Sequence, residues 1–300
     1  MKNIFQLTLV GLALLGASPL RGGTTYQDGD VLLIFRQTGQ NDVEYDIGNI
    51  SQFTNHPNGY AAAVTGWDPT VATGVFGSDL TGVSVIIAST TTLTNPNRTS
   101  WLSSGNPTAT ISDVTPTIWQ GNLWSVINAI GNRPKTYLPK ETFPYSLDPG
   151  GVASYDYIAS GGGQNEFDLP QLGGNVNFTV EQVIPGLFGF WAIQPHATPE
   201  PAATQLGSFY IDASGNLTFI VGPPEPTIVG ITQAGNVASV TFTTLPVGTY
   251  SLAYTTTLGS PVSAWTVVSG PVAGNGGNQS LTYTNTTADS AGYFEVVYSP

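Results

Sequence analysis

The chain has 300 residues, a formal net charge of −12 and 9% charged residues, where ~25% is usual. Lys140 is the last basic residue, so the clustered cations needed to hold nucleic acid or an anionic membrane surface are missing. Cysteine is absent, which excludes thiolate catalysis, iron–sulfur clusters and Cys-type zinc sites.

Polarity comes instead from Gly, Thr, Ser, Asn and Pro, a composition that suits short strands joined by many turns. Abundant aromatic and β-branched residues argue against disorder. Residues 1–18 read as a secretory signal: Lys2 supplies the positive start, Ile4 to Leu15 the apolar core, and Gly16-Ala17-Ser18 the small residues for cleavage. The apolar run is too short for a bilayer span, which takes roughly 20 residues, and no later segment is long enough either. The expectation is an exported protein that is not integral to the membrane.

The first domain is expected over residues 26–222. It opens with a hairpin. Val31 to Phe35 is an unbroken apolar run, as in a strand buried on both faces. Asp42 to Ile47 alternates strictly, with Val43, Tyr45 and Ile47 on one face and Asp42, Glu44 and Asp46 on the other. Thr38-Gly39-Gln40-Asn41 supplies the turn. The acidic face is expected to be solvated, partly neutralised by Arg36, and to discourage edge-to-edge strand pairing.

Ser51 to Gly82 reads as loop-rich. Val83 to Ser89 reads as a strand, and Thr108 to Ser112 as a weaker one. Thr115 to Ile130 predicts a helix, with Thr115 as cap, Pro116 in the first turn, and Trp119, Leu123, Val126, Ile127 and Ile130 as one apolar stripe. Gly131-Asn132 and Pro134 are expected to stop it, leaving Arg133, Lys135 and Lys140 as a basic loop island near the helix C-terminus. Gly161-Gly162-Gly163 lacks the strand-before, helix-after context of a phosphate-binding loop. Asn175 to Val183 and Gly189 to Ile193 read as strands, and Leu206 to Asp212 with Leu217 to Val221 as a second hairpin.

Residues 223–226, Pro-Pro-Glu-Pro, form a linker. Beyond it, residues 227–300 give about seven short strand signals. Tyr250, Leu252 and Tyr254 alternate with small or polar residues, Phe294, Val296 and Tyr298 do the same, and Trp265 is a natural core plug. Such spacing predicts a small β-sandwich of immunoglobulin or fibronectin type III style. The fold class is therefore mainly β: a sandwich-like first domain with one packed helix, then a small sandwich.

Three stretches carry a resemblance. Gly29-Asp-Val-Leu-Leu-Ile-Phe-Arg36 and Asn41-Asp-Val-Glu-Tyr-Asp-Ile-Gly48 after a signal peptide, together with Gly207 to Phe219, resemble exported bacterial proteins of the PEP-sorting-associated type, whose activity is unknown. Thr249 to Tyr254, Trp265 and Tyr293 to Val296 are similar to fibronectin-like modules appended to such proteins. The resemblance implies fold and export and no reaction. Pro199-Glu200-Pro201 and Pro224-Glu225-Pro226 spell the tag tripeptide, but neither precedes an apolar span and a basic tail.

The candidate chemistry is sparse. His56 and His196 both sit beside proline, and no nucleophile-elbow spacing accompanies them. Calcium is the one metal that Asp28, Asp30, Asp42, Glu44 and Asp46 would suit, although three carboxylates in line on one strand do not converge on one ion; no other cofactor is expected. Asp42 with Glu44, or Glu44 with Asp46, also matches glycosidase carboxylate separations, a criterion any alternating acidic strand would meet. Trp67, Trp101, Trp124 and Trp191 are candidate platforms for a sugar ring, Trp124 because it lies off the helix stripe. The expected function is a secreted, non-enzymatic structural or adhesive role, with extracellular polysaccharide or surface proteins as partners. A carbohydrate-binding protein is the alternative, and an unrecognised hydrolase the second alternative.

Overall fold

A computed structural model describes residues 26–58, 60–107, 109–138, 142–159, 180–197, 201–222, 226–245, 248–257, 262–285 and 292–299. The signal segment, Gly161 to Gly163, Lys140, Pro199-Glu200, most of the linker and the start of the Asn175 strand lie outside these residues.

The protein is mainly β. The first ten strands are β1 (Asp30–Arg36), β2 (Asp42–Asn49), β3 (Tyr60–Ala63), β4 (Ser84–Thr90), β5 (Ser100–Ser104), β6 (Tyr145–Leu147), β7 (Gln182–Val183), β8 (Gly186–Ile193), β9 (Thr204–Ile211) and β10 (Leu217–Val221). They form one sheet in the order β3-β10-β9-β8-β5-β4-β1-β2-β6, with β7 on β4. Every strand pair is antiparallel. β1 is central, as its apolar run requires: Val31 to Phe35 are all 0% exposed.

The two faces of β1 feed two cores. Leu32 and Ile34, with Ile86 and Ala88 of β4, pack under a helical layer that contributes Trp119, Leu123, Val126, Ile127, Ile130, Tyr155 and Ile158. Val31, Leu33 and Phe35 face the other way. They meet Val43, Tyr45 and Ile47 of β2 and also Phe188, Phe190, Phe209 and Phe219 from β8, β9 and β10, so the sheet curls around this second core. Phe209 sits among Phe53, Phe190 and Phe219 at centroid distances of 5.2, 5.1 and 4.8 Å.

The helical layer begins at Thr115, whose hydroxyl accepts from the Ile118 N–H. α2 (Pro116–Ile118), a π-helical stretch (Trp119–Trp124) and α3 (Ser125–Tyr137) follow without a break. The expected stop at Gly131 and Pro134 does not occur: the helix runs through Pro134, and Arg133 and Lys135 belong to its last turns. Gly131 has a packing role. The Tyr26 ring lies so close that an added Cβ would run into it. A short helix α1 (Thr70–Phe76) and a 3-10 turn (Ile50–Phe53) occupy the stretch read as loop; Thr108 lies outside the described residues, and residues 109–112 form only an isolated bridge at Ser112.

The described residues from 226 on form six strands: β11 (Ile228–Ala234), β12 (Val237–Thr243), β13 (Thr249–Thr255), β14 (Thr266–Ala273), β15 (Asn278–Thr284) and β16 (Tyr293–Ser299). Two three-stranded sheets, β11-β12-β15 and β14-β13-β16, share a core of Val240, Phe242, Tyr250, Leu252, Leu281 and Val296. Trp265 does not plug that core; it is half-buried outside it, after the 3-10 turn Val262–Ala264.

Candidate functional site

The acidic face of β2 is not solvated. Asp42 and Glu44 are 0% exposed and Asp46 is 9% exposed. The alternation does separate two faces, but the polar one lies on the same side as Leu32 and Ile34, beneath the helical layer. Nor is β2 an edge in need of protection, because β6 pairs with it at Asp42, Val43 and Glu44.

The N-terminus of helix α4 (Tyr155–Ala159) lies against Asp42 and Glu44 and explains them. Helix N-termini carry N–H groups with no partner inside the helix. Ser154 caps Tyr157 from within the chain, its hydroxyl accepting the Tyr157 N–H at 3.1 Å. The carboxylate of Asp42 accepts the Asp156 N–H at 2.7 Å, a cap supplied from another strand. Glu44 lies below, near the Tyr155 N–H, with neither carboxyl oxygen in a hydrogen bond of normal geometry. The second oxygen of Asp42 is likewise unpartnered.

Burial pushes Asp42 up to about 7, the Asp156 N–H pulling it down and the Asp156 carboxylate adding to the rise. Burial, then the neighbouring Asp42, pushes Glu44 well above the usual carboxylate range. A buried carboxyl without a cation avoids its desolvation penalty by keeping its proton. Arg36 does not neutralise this pair directly. Its guanidinium bridges Asp156 at 2.5 Å and Glu181 at 2.7 Å, all three about two-thirds buried. The Tyr155 hydroxyl donates to the same Glu181 oxygen at 3.4 Å.

The opposite face of β2 does the same for another helix. The Tyr45 hydroxyl accepts the Ala72 N–H at 2.9 Å, in the first turn of α1. Its ring is wedged against Phe35 and Trp67, at 5.8 and 5.1 Å. Successive polar groups of one strand thus cap two helices on opposite sides of the sheet.

The five acids do not converge. Asp28 accepts from the Thr92 N–H at 2.7 Å and the Asn95 amide at 3.1 Å. Asp30 accepts from the Gln27 N–H at 2.6 Å, and Asp46 from the Gly48 N–H at 2.9 Å. Burial, then Asp46, raises Asp30 to about 6. Among the described residues no group of three or more His, Asp or Glu side chains is placed to hold a metal ion.

The four tryptophans divide. Trp191 is buried at 3% exposure and packs in the helix-side core, so it offers no platform. Trp67 stacks on Phe35 at 5.8 Å and Trp101 packs against the second core, both half-buried. Trp124, also half-buried, lines a pocket with Tyr26, Gln27, Asp28, Thr90 to Thr92 and Asn128. His56 stacks on Tyr60 at 3.8 Å, while exposed His196 faces Asp113 at 3.5 Å.

Sequence reasoning passed over Asp156, Glu181 and Asn128. Ser154 followed by Asp156 is a helix-start signal that was open to reading; the link to Asp42, 114 residues away, was not. Comparison with protein-family models, curated proteins and solved structures gives no match to this chain. Among the described residues no helix is long and apolar enough to cross a membrane.

Proposed function

We propose that the protein is exported and acts, without catalysis, as a structural or adhesive element of the cell surface or extracellular matrix. The observation that carries this reading is the use made of β2. Asp42, Glu44 and the Tyr45 hydroxyl, the groups best suited to chemistry, are buried, and Asp42 and Tyr45 each accept a helix N–H. The signal-like leader and the resemblance of Gly29 to Gly48 to exported bacterial proteins support the location. The separate apolar core beyond residue 226 supports a second, fibronectin-like module.

The test is expression from the protein's own leader in a bacterial host, followed by fractionation and N-terminal sequencing. Processed protein outside the cell, cut close to Ala17, together with retention on cell-wall or matrix preparations, is the expected result. Full-length protein in the cytosol with residues 1–18 intact would refute it, as would turnover of ester, peptide or glycoside substrates by the purified chain.

A further inference from the structure

We propose that the pocket lined by Trp124, Asn128 and Asp28 binds the terminal residue of a neutral saccharide, which goes beyond the architectural reading above. The pocket opens to solvent and has a cavity volume of about 120 Å³. That is below the ~300 Å³ at which pockets for drug-sized ligands start, so it has room for a single ring at most.

Its walls have the two faces a pyranose needs. Sugar rings carry an apolar face of C–H groups and a rim of hydroxyls, each both donor and acceptor. Trp124 supplies an indole wall. It ends the π-helical stretch, where the Ser125 N–H bonds the Gln120 carbonyl. Trp124 is half-buried, packing partly against the helix-side core while also lining the pocket, and π-turns are frequent at functional sites. Asn128 lies four residues on, hence on the same helix face. Its carbonyl oxygen accepts from Asn132 at 2.9 Å, which leaves its amide hydrogens to donate to a ligand.

Asp28 supplies the acceptor. The Thr92 N–H and the Asn95 amide each hold one of its oxygens, so the carboxylate is fixed before a ligand arrives. Each oxygen keeps lone-pair capacity for a hydroxyl of a vicinal diol. Tyr26 makes the floor rigid, its hydroxyl both accepting from the Thr90 N–H at 2.8 Å and donating to the Thr90 carbonyl at 3.3 Å. A carboxylate at the rim and a net charge of −12 select against uronic and sialic acids.

The test uses the full mature chain and a panel of methyl glycosides of glucose, galactose, mannose and N-acetylglucosamine, with glycerol and methyl glucuronide as controls. Binding is read from the tryptophan indole N–H cross-peaks in a TROSY spectrum, the Trp124 peak being assigned by its loss in Trp124→Phe. At least one neutral glycoside should move that peak and leave the Trp191 peak still, with a dissociation constant on the order of 1 mM, as befits a dozen heavy atoms. Asn128→Ala should weaken it about fivefold or more. Asp28→Asn, which keeps the side-chain shape, should weaken it too and serves where Asn128→Ala melts early. Glycerol and the glucuronide should not bind. Failure of every neutral glycoside to move the Trp124 peak, or binding indifferent to both substitutions, would overturn the assignment and leave export and architecture to be judged on fractionation.

Discussion

Replacing Asp42 by Asn should stabilise the protein at neutral and alkaline pH. The folded-state pKa of about 7 lies above an ordinary aspartate value of 3.8. The unfolded chain therefore binds fewer protons than the native one between these values. The stability contributed by this group is greatest below pH ~4 and falls as pH rises through about 7, because folding then forces a proton on, or buries a charge. Three pKa units at about 1.4 kcal/mol each set a ceiling of about 4 kcal/mol on the loss. Glu44, shifted in the same direction, adds to the fall. Asn has the shape of the protonated acid, and its carbonyl can still accept the Asp156 N–H. The variant should match the parent near pH 4 and exceed it by about 1–3 kcal/mol at pH 8, the margin below the ceiling reflecting a weaker hydrogen bond to a neutral acceptor. Urea melts from pH 4 to 8 followed by tryptophan fluorescence measure this, since five of the six tryptophans precede residue 200. A difference between variant and parent that does not grow from pH 4 to 8, or a variant less stable than the parent at pH 8, would refute the reasoning.

Three further results are expected. Tyr45→Phe removes the cap on α1 and should cost about 1 kcal/mol, with amide exchange accelerating in residues 70–76 more than in β1. Gly131→Ala should lower the melting temperature: the gain in helix propensity, about 1 kcal/mol, is outweighed by pushing a methyl into the Tyr26 ring, which costs about 1–3 kcal/mol. Residues 227–300 expressed alone should give a dispersed amide spectrum, as their own core of Phe242, Tyr250 and Leu252 implies; a collapsed spectrum would show that the module depends on the rest of the chain.

Much of this fold was legible, for reasons that also mark the limit. An unbroken apolar run at Val31 to Phe35 has one economical explanation, burial on both faces, and β1 is the shared strand of both cores. The stripe from Trp119 to Ile130 likewise fixed which side of the helix faces the sheet. The period-two pattern of Asp42 to Ile47 separated its faces correctly, yet the polar side was misread as wet. Alternation reports that two sides differ; it does not report what covers each. Here a helix arriving from more than a hundred residues downstream supplies the N–H that makes a buried carboxyl tolerable. Pro134 misled for a related reason. Proline removes one hydrogen bond, and a helix packed along its length by Val126, Ile127 and Ile130 absorbs that loss. The short strands β3, β5 and β6 were hidden because Ala, Ser and Tyr at three to five positions make no periodic signal. In the pocket, Trp124 stood out by lying off its stripe, but Asp28, Thr92 and Asn128 are joined only by the fold.

Asp42 and Glu44 are buried between two layers of structure with raised pKa values, and a carbon-13 titration of their side-chain carboxyl resonances tests that most directly. Asp42 should titrate with a midpoint of about 7, and Glu44 with a midpoint well above the usual carboxylate range. Two ordinary midpoints near 4 would mean that water reaches both groups, and that β2 presents the solvated acidic face its sequence alone suggests.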